Sequence, residues 1–396
     1  MPTMPNPLRS LIRAAALPIT VAALAPMAHA QGPVTDHPDY MEAPFSAKRV
    51  LDWGTRPDWS PDGTKIAFTE AESRNTPAHE LDPETGKVRC LTCHLGGQKD
   101  VTRIYYLYDG SFLILAPRRP AQDETPVRGQ ELYWMSAELG PLLPIGATGF
   151  GEIAITRTPD ADGAVRIAWG DAANNNSLLT TAKLSWAQGK PVLREERVLY
   201  DARSPDKPEG MTVAEAYGFM EEWRYVTFYT IFEKGDVLDD EMVKVDTETG
   251  AITPLYTSPA HTETHLFPDE RYGLEESNRA SDPEGTWRGL SSHPARFMAF
   301  MATRTRLDLP SPEELEDYAP HGANVGFDRP FDLYIVRIDG SEEPRRLTTM
   351  GDTTATARQS VISPDGIHIA YAVDPRESPQ IAGQGGLYIG TFGAAD

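Results

Sequence analysis

A short unit repeated along the chain constrains the fold more than any other feature. Each copy is a strand, a turn of the Pro-Asp-Gly type and a second strand with alternating apolar residues. Proline presets φ, aspartate bonds to its own turn backbone and glycine supplies a positive φ, so the turn is encoded locally. Residues 60–63 and 363–366 both read Ser-Pro-Asp-Gly. Weaker copies lie at residues 108–110, 159–163, 221–223 and 267–270.

The copies predict the blades of a β-propeller. A second turn follows all copies but the last about two strands later, at residues 82–86, 139–140, 188–189, 246–250 and 339–340. The last blade lacks its outer strand where the chain ends, and residues 48–53 can supply it. This exchange closes the ring and removes an exposed sheet edge. The sequence therefore predicts an all-β protein, a six-bladed β-propeller of four-stranded antiparallel blades.

The repeat resembles that of the TolB-like, WD-type propeller family. The family signature is Ser-Pro-Asp-Gly followed by Lys-Ile-Ala-Phe, as found within residues 60–68. The resemblance covers residues 45–396 and implies the propeller fold. We expect no counterpart of the α/β domain that precedes the propeller in TolB itself. The resemblance also implies a binding function, because such propellers mostly hold a protein or an envelope glycan at their loop-rich face.

Residues 1–30 have the three parts of a cleavable export signal. Arg9 and Arg13 make a short basic region, and residues 14–24 are mostly apolar. Residues 28–30 read Ala-His-Ala, which is an A-x-A cleavage site. We therefore expect cleavage after Ala30 and a periplasmic or secreted protein.

The charge balance excludes some partners. The net charge is −21, so the overall field would repel nucleic acid and anionic lipid. No stretch after the signal is apolar and long enough to cross a membrane. We expect a monomer in which residues 31–44 form a short extension before the propeller.

The innermost strand of each blade carries polar residues that predict a site in the central channel. Alternate residues on a strand share one face. In the fifth blade the strand reads His261-Thr262-Glu263-Thr264-His265, so two imidazoles and a carboxylate would point into the channel. They could hold Mn²⁺, Zn²⁺ or Ca²⁺, or act as acid and base. A hydrated, hydrogen-bonded channel wall is the alternative.

Equivalent positions in the other blades add candidates. They are Arg56, Asp58, Arg103, Glu152, Glu215, Tyr217 and Arg358. Glu215 and Glu263 come from neighbouring blades, and glycoside hydrolysis requires such a pair of carboxyl groups. We therefore take Glu263, Glu215 and His265 as the candidate catalytic residues. The candidate ligand-binding residues are Arg56, Arg103, Tyr217, Arg279 and Arg358, whose guanidinium groups would suit an anionic ligand. Pairing of these arginines with local acids is the alternative.

The fifth blade contains a long insertion at about residues 279–329. Residues 311–314 read Ser-Pro-Glu-Glu, a capping box with proline at the first helical position. A short helix should follow to about Tyr318. Insertions of this length are usually lids or binding elements, and a decoration of the rim is the alternative.

The two cysteines lie in the sequence Cys90-Leu91-Thr92-Cys93-His94. This pattern matches the attachment motif of c-type haem. It falls on the outer strand of the first blade, however, and no pocket or second axial ligand accompanies it. An exported protein meets an oxidising compartment, so we expect a local Cys90–Cys93 disulfide instead of haem.

Two functions remain. The first is a periplasmic binding module for a protein or an envelope glycan, without chemistry. The second is a carbohydrate-active enzyme, a lyase or glycoside hydrolase acting on acidic saccharides. TolB-like repeats also resemble those of oligogalacturonate lyases, which implies a metal site rich in histidine in the channel.

Overall fold

The computed structural model describes residues 37–70, 76–117, 130–170, 178–201, 204, 211–234, 237–258, 262–281, 330–353, 355–374 and 385–393. These residues belong to one compact unit, Pro33–Asp396. The predicted signal peptide and the predicted helix of the insertion lie outside the described residues. None of the described helices is long and apolar enough to cross a membrane.

The described strands follow one another blade by blade. The first strand, β1 (Phe45–Arg49), belongs to the last blade. Blade 1 contains β2 (Thr55–Trp59), β3 (Ile66–Thr69), β4 (Thr76–Asp82) and β5 (Lys87–Cys90), with β6 (Asp100–Val101) paired to β4. Blade 2 contains β7 (Arg103–Tyr106), β8 (Phe112–Pro117), β9 (Gln130–Met135) and the first half of β10 (Leu143–Ile155). Blade 3 contains the second half of β10, β11 (Val165–Gly170), β12 (Leu178–Ala187) and β13 (Lys190–Asp201).

The remaining blades have the same order from inside to outside. Blade 4 contains β14 (Met211–Met220), β15 (Tyr225–Lys234), β16 (Val237–Asp246) and β17 (Ile252–Ser258). Blade 5 contains β18 (Thr262–Leu266), β19 (Tyr272–Ser277), β20 (Asp332–Arg337) and β21 (Arg345–Arg346). Blade 6 contains β22 (Thr356–Ile362), β23 (His368–Asp374), β24 (Gly386–Phe392) and β1. Three 3₁₀ helices are described, Cys93–Gln98, Glu221–Trp223 and Met350–Asp352.

The predicted six-bladed propeller is confirmed. The Pro-Asp-Gly turns join the first and second strands of their blades, and Gly63 and Gly366 both have a φ of +71°. The backbone N–H of Ser60 donates to the carbonyl of Lys65 at 2.9 Å, and Ser363 donates to His368 in the same way at 2.8 Å. The first and last blades therefore close with the same turn, which is why their sequences match best.

Closure by an N-terminal strand is also confirmed, but the strand begins earlier than predicted. β1 pairs with β24 from Phe45 opposite Phe392 to Arg49 opposite Tyr388. The sequence predicted residues 48–53 for this role. After Arg49 the regular register ends, although Val50 and Leu51 still hydrogen-bond to Leu387, and the backbone of Leu51 passes so close to Gly386 that an added Cβ would lie 2.2 Å from its carbonyl oxygen.

The apolar core lies between blades. One cluster between blades 2 and 3 is centred on Leu113, Leu132 and Ile167, all fully buried. Between blades 5 and 6, Tyr40 is fully buried, and its ring centroid lies 4.1 Å from that of Phe267. The extension before the propeller therefore packs into the core. Because the apolar faces meet between blades, the innermost strands are left to line the channel with polar groups.

Candidate functional site

Bulges interrupt the innermost strands beside the channel. The pairing register shifts between Thr55 and Asp58 in blade 1 and between Arg358 and Val361 in blade 6. Arg56 has a φ of +54° in the first bulge. A bulge bends the strand and re-aims its side chains. It also frees backbone N–H groups, and these must find other partners when they are buried.

Glu276 supplies such partners for blade 6. This side chain is 2% exposed at the end of β19 in blade 5. Its carboxyl group accepts hydrogen bonds from the N–H of Gln359 at 2.8 Å and from the N–H of Ser360 at 2.5 Å. The Ser360 hydroxyl donates a third at 2.8 Å. Burial, followed by the nearby charge of Glu263, raises the pKa of Glu276 to about 8. Glu276 therefore links blades 5 and 6, and its carboxyl group interacts electrostatically with Glu263.

Arg103 and Glu152 form a buried ion pair between blades 2 and 3. The Tyr105 hydroxyl donates to Glu152 Oε2 at 2.8 Å and accepts from the N–H of Ile153 at 3.3 Å. Burial acts to lower the pKa of Arg103, but Glu152, Tyr105, Glu215 and Glu263 together outweigh it and the pKa is raised. The Arg103 guanidinium is therefore charged and already paired.

Asp58 plays a similar part in blade 1. It is 1% exposed and accepts a hydrogen bond from the N–H of Tyr106 in blade 2 at 2.7 Å. The Arg157 guanidinium donates to both oxygens of Asp58, at 2.6 and 3.1 Å. Two further candidates, Asp58 and Glu152, are thus structural links between blades.

Blades 4 and 5 contribute a cluster that remains partly exposed, which we call the carboxylate cluster: Glu215, Tyr217, Glu263 and His265. The Tyr217 hydroxyl donates to Glu215 Oε2 at 3.3 Å. The Tyr217 and His265 rings meet edge to face with centroids 4.8 Å apart. Arg103 of blade 2 interacts electrostatically with both Glu215 and Glu263. Because this interaction joins side chains of blades 2, 4 and 5, we infer that the cluster faces the central channel.

Burial sets the protonation of the two rings in the carboxylate cluster. It raises the pKa of Tyr217 well above its ordinary value, and the charges of Glu263 and Glu215 add to the effect. Burial also lowers the pKa of His265, although Glu152 and Glu263 act in the opposite direction. At neutral pH the cluster therefore offers a phenol O–H, a neutral imidazole and carboxyl groups.

Gly151 makes room for this cluster. It has a φ of +65°, and an added Cβ would lie 2.1 Å from Glu215 Oε1. The carboxylate of Glu215 thus packs directly over the backbone of blade 3. Any larger residue at this position would displace it.

The predicted metal ligands are only partly described. His261 lies outside the described residues, and Glu263 and His265 lie two positions apart on β18, as predicted. Among the described residues, one group of three His, Cys, Asp or Glu side chains brings its ligand atoms within 4.8 Å of one another, and it lies elsewhere, at His79, Cys90 and Cys93. The described members of the carboxylate cluster therefore do not form a ready-made metal site, and Mn²⁺, Zn²⁺ or Ca²⁺ in the channel stays a prediction.

The predicted arginine ligands all have protein partners. Arg56 donates to the carbonyl of Thr102 at 2.8 Å. Arg279 forms an ion pair with Glu275, and its guanidinium donates to the Tyr256 hydroxyl at 3.0 Å. The guanidinium of Arg358 lies 3.6 Å from the carboxylate of Asp374. The described arginines around the channel therefore have local partners, and ligand binding by them stays a prediction.

The sequence does not single out three side chains that link blades. Tyr105, Arg157 and Glu276 each bond across blades, and only the three-dimensional neighbours reveal this. Glu276 left one signal, since β19 ends in the polar run Glu275-Glu276-Ser277 although the whole strand is buried.

Cys90 and Cys93, which the sequence predicted to pair, are joined by a disulfide. His94 is exposed, and its Nε2 lies 3.4 Å from the carbonyl oxygen of Gly140. The motif therefore lies at the outer edge of blade 1, away from the channel.

Fold and site define the class, a six-bladed β-propeller with a polar channel. The sequence matches no protein-family model and no curated protein. Solved structures with some similarity include a calcium-binding protein, regucalcin, from Agrobacterium tumefaciens, 11% identical over 88% of this chain and 94% of that one, with a TM-score of 0.46. An oligogalacturonate lyase from Vibrio parahaemolyticus is 12% identical over 85% and 76%, with a TM-score of 0.44. A putative TolB from Agrobacterium tumefaciens is 11% identical over 85% and 79%, with a TM-score of 0.31. At such identities only the propeller fold is supported.

Proposed function

We propose that the protein is an exported binding propeller that holds a hydroxyl-rich glycan against the carboxylate cluster. One observation carries the proposal: two neighbouring blades direct Glu215, Tyr217, Glu263 and His265 to the same part of the channel and leave them partly exposed. Ligand sites are concave, with a few convergent polar groups that fix orientation. Carboxylates and a neutral imidazole accept hydrogen bonds from sugar hydroxyls, and the Tyr217 ring adds an apolar face.

The charges favour a neutral glycan over an acidic one. Glu215 and Glu263 interact electrostatically with the Arg103 guanidinium, but that guanidinium is already paired with Glu152. The net charge of the whole chain is −21. A carboxylate-bearing sugar would be repelled both by the glutamates of the site and by the net charge of the chain, and such like-charge contacts are unfavourable. The proposal therefore departs from the anionic ligand that the arginine positions suggested.

A glycan array followed by isothermal titration calorimetry tests the proposal. We expect neutral oligosaccharides to bind and Tyr217→Phe to weaken binding about tenfold, because Glu215 loses the hydroxyl that holds its carboxyl group in place, a hydrogen bond that contributes roughly 1.5–3 kcal/mol. The chain offers a matched control: Tyr133 donates to Glu131 two residues away at 2.9 Å, on β9 and outside the channel. Tyr133→Phe should bind like the wild type. A preference for acidic oligosaccharides, or equal binding by both variants, would contradict the proposal.

Hydrolysis of the bound glycan is a second candidate function. It is favoured by the presence of two carboxyl groups, Glu215 and Glu263, on neighbouring blades that face one channel. Glycoside hydrolases need one carboxyl group as acid and another as base or nucleophile. Release of reducing ends from the bound oligosaccharide would identify it, and Glu263→Ala should abolish release while the thermal midpoint stays nearly unchanged. Full activity in that variant would exclude Glu263 from the chemistry.

Export is part of the same proposal. N-terminal sequencing of the protein recovered from the periplasm or the medium should begin at Gln31. Retention of residues 1–30 on a cytoplasmic protein would contradict it. Cross-linking in intact cells would capture a protein partner bound at the loop-rich face.

A further inference from the structure

Three metal-ligating side chains meet on blade 1, far from the carboxylate cluster in the fold. The candidate ligand atoms of His79, Cys90 and Cys93 all lie within 4.8 Å of one another. His79 on β4 lies directly opposite Cys90 on β5, and Cys93 begins the 3₁₀ helix that follows. Two sheet strands and a short helix thus place one imidazole and two sulfur atoms together.

The surroundings of His79 resemble those of a histidine that binds a metal ion. Its side chain is enclosed by aromatic rings, with centroids of Trp53 at 5.0 Å and Phe68 at 5.7 Å. Its Nε2 lies 3.6 Å from Oε1 of Glu70, which favours the tautomer with the proton on Nε2. Nδ1 is buried and has no hydrogen-bond partner among the described residues. A buried acceptor without a partner is costly, so each such group needs an explanation.

The two sulfur atoms are accessible from outside. Cys93 is exposed and Cys90 is half-buried. The backbone N–H of Cys93 lies 3.0 Å from Cys90 Sγ and donates to it. A donor at this position stabilises a thiolate at Cys90 if the disulfide is reduced. A small reductant and a metal ion can both reach the pair.

We propose that blade 1 contains a redox-controlled site for a thiophilic cation, Zn²⁺ in particular, whose ligands are Cys90 Sγ, Cys93 Sγ and His79 Nδ1. A dithiol reductant transfers two electrons and two protons to the disulfide, breaks its S–S bond and becomes a disulfide itself. Zn²⁺ then displaces the two thiol protons and binds both thiolates and the imidazole. A small-molecule or protein disulfide accepts two electrons from the two thiolates, is reduced to two thiolates and re-forms the Cys90–Cys93 S–S bond, which releases the ion.

The donor set fits this ion. Thiolates and imidazole are the usual ligands of Zn²⁺, which takes four ligands in a tetrahedron, so that water would occupy the fourth position. Glu70 completes the arrangement, because a metal-bound histidine usually directs its other nitrogen to a carboxylate. The haem alternative would use His94, whereas the proposed site uses His79. The two histidines therefore distinguish the two cofactors.

Zinc binding to the reduced full-length protein tests the proposal. The protein is reduced with dithiothreitol, desalted without oxygen and titrated with Zn²⁺ against a chromophoric chelator. We expect one Zn²⁺ per reduced chain and none per oxidised chain. His79→Phe, which keeps an aromatic ring beside Trp53, should lower the affinity at least tenfold, and Glu70→Gln about tenfold. His94→Ala is the control and should bind like the wild type.

Three results would overturn the proposal: equal binding by the oxidised protein, unchanged affinity in His79→Phe, or an equal loss in His94→Ala. Co²⁺ gives a measurement that needs no variant. The reduced wild-type protein should develop a thiolate-to-cobalt charge-transfer band that disappears on oxidation. Absence of that band from the reduced, folded protein would also overturn the proposal.

Discussion

Replacement of Glu276 by glutamine is expected to change both the stability of the protein and its dependence on pH. The Glu276 carboxyl group accepts from Gln359 N–H, Ser360 N–H and the Ser360 hydroxyl. A glutamine side chain has one acceptor oxygen, and its NH₂ group would face one of these donors. At least one buried hydrogen bond between blades 5 and 6 is therefore lost.

Two contributions set the change in unfolding free energy: the lost hydrogen bond and the proton that Glu276 takes up on folding. A buried donor without a partner costs about 1–3 kcal/mol, so we expect Glu276→Gln to lose about 2 kcal/mol of unfolding free energy at pH 5. The pKa of Glu276 is raised from 4.5 to about 8 on folding. Between these values the folded state holds a proton that the unfolded state has released, so wild-type stability falls as the pH rises. At most one proton is involved, so the unfolding free energy of the wild type falls by at most roughly 1.4 kcal/mol per pH unit.

Urea unfolding followed by tryptophan fluorescence at pH 5, 6, 7 and 8 measures both quantities. The variant should be less stable than the wild type by about 2 kcal/mol at pH 5, equally stable at about pH 6.5 and more stable at pH 8, because wild-type stability falls by roughly 3.5 kcal/mol over this range. Glu84→Gln, in an exposed turn, is the control and should follow the wild type throughout. Equal stability at pH 5, or parallel pH profiles for the wild type and Glu276→Gln, would refute the reasoning.

Three other substitutions probe the channel, the ring closure and the core. Gly151→Ala places a Cβ 2.1 Å from Glu215 Oε1 at a φ of +65°; it should cost about 1 kcal/mol in urea unfolding and weaken glycan binding in calorimetry. Gly390→Ala places a Cβ 2.4 Å from the Phe45 ring; it should lower the thermal midpoint and increase light scattering on heating, because β1 no longer covers the edge. Asp332→Asn removes a buried charge that accepts two backbone N–H bonds; it should cost about 3 kcal/mol in urea unfolding.

The turns and the number of blades could be predicted because their chemistry is local. The Ser-Pro-Asp-Gly sequence at residues 60–63 specifies its own backbone, and the same turn recurs three hundred and three residues later, at residues 363–366. Alternation along the innermost strands predicted that Glu215, Tyr217, Glu263 and His265 share a site, and the structure brings these side chains close together, while their function stays a prediction. The start of β1 at Phe45 was missed because it depends on pairing with Phe392, nearly three hundred and fifty residues further along the chain.

The partners of the charged groups could not be predicted because they come from other blades. Arg103 was expected to bind a ligand, but its partner Glu152 lies forty-nine residues further along the chain. The bulge at Arg56 has no local signature, since neither glycine nor asparagine occupies this position although its φ is +54°. Glu276 was missed for the same reason, because its role depends on backbone N–H groups freed by the bulge in blade 6.

A crystal structure of the wild-type protein with the neutral oligosaccharide that binds most tightly on the array would show whether the carboxylate cluster holds the glycan. The account predicts a sugar in the channel, with hydroxyl groups within hydrogen-bond distance of Glu215 and Glu263 and a ring against Tyr217. A sugar bound on the outer strands of the blades, with the carboxylate cluster unchanged, would contradict it.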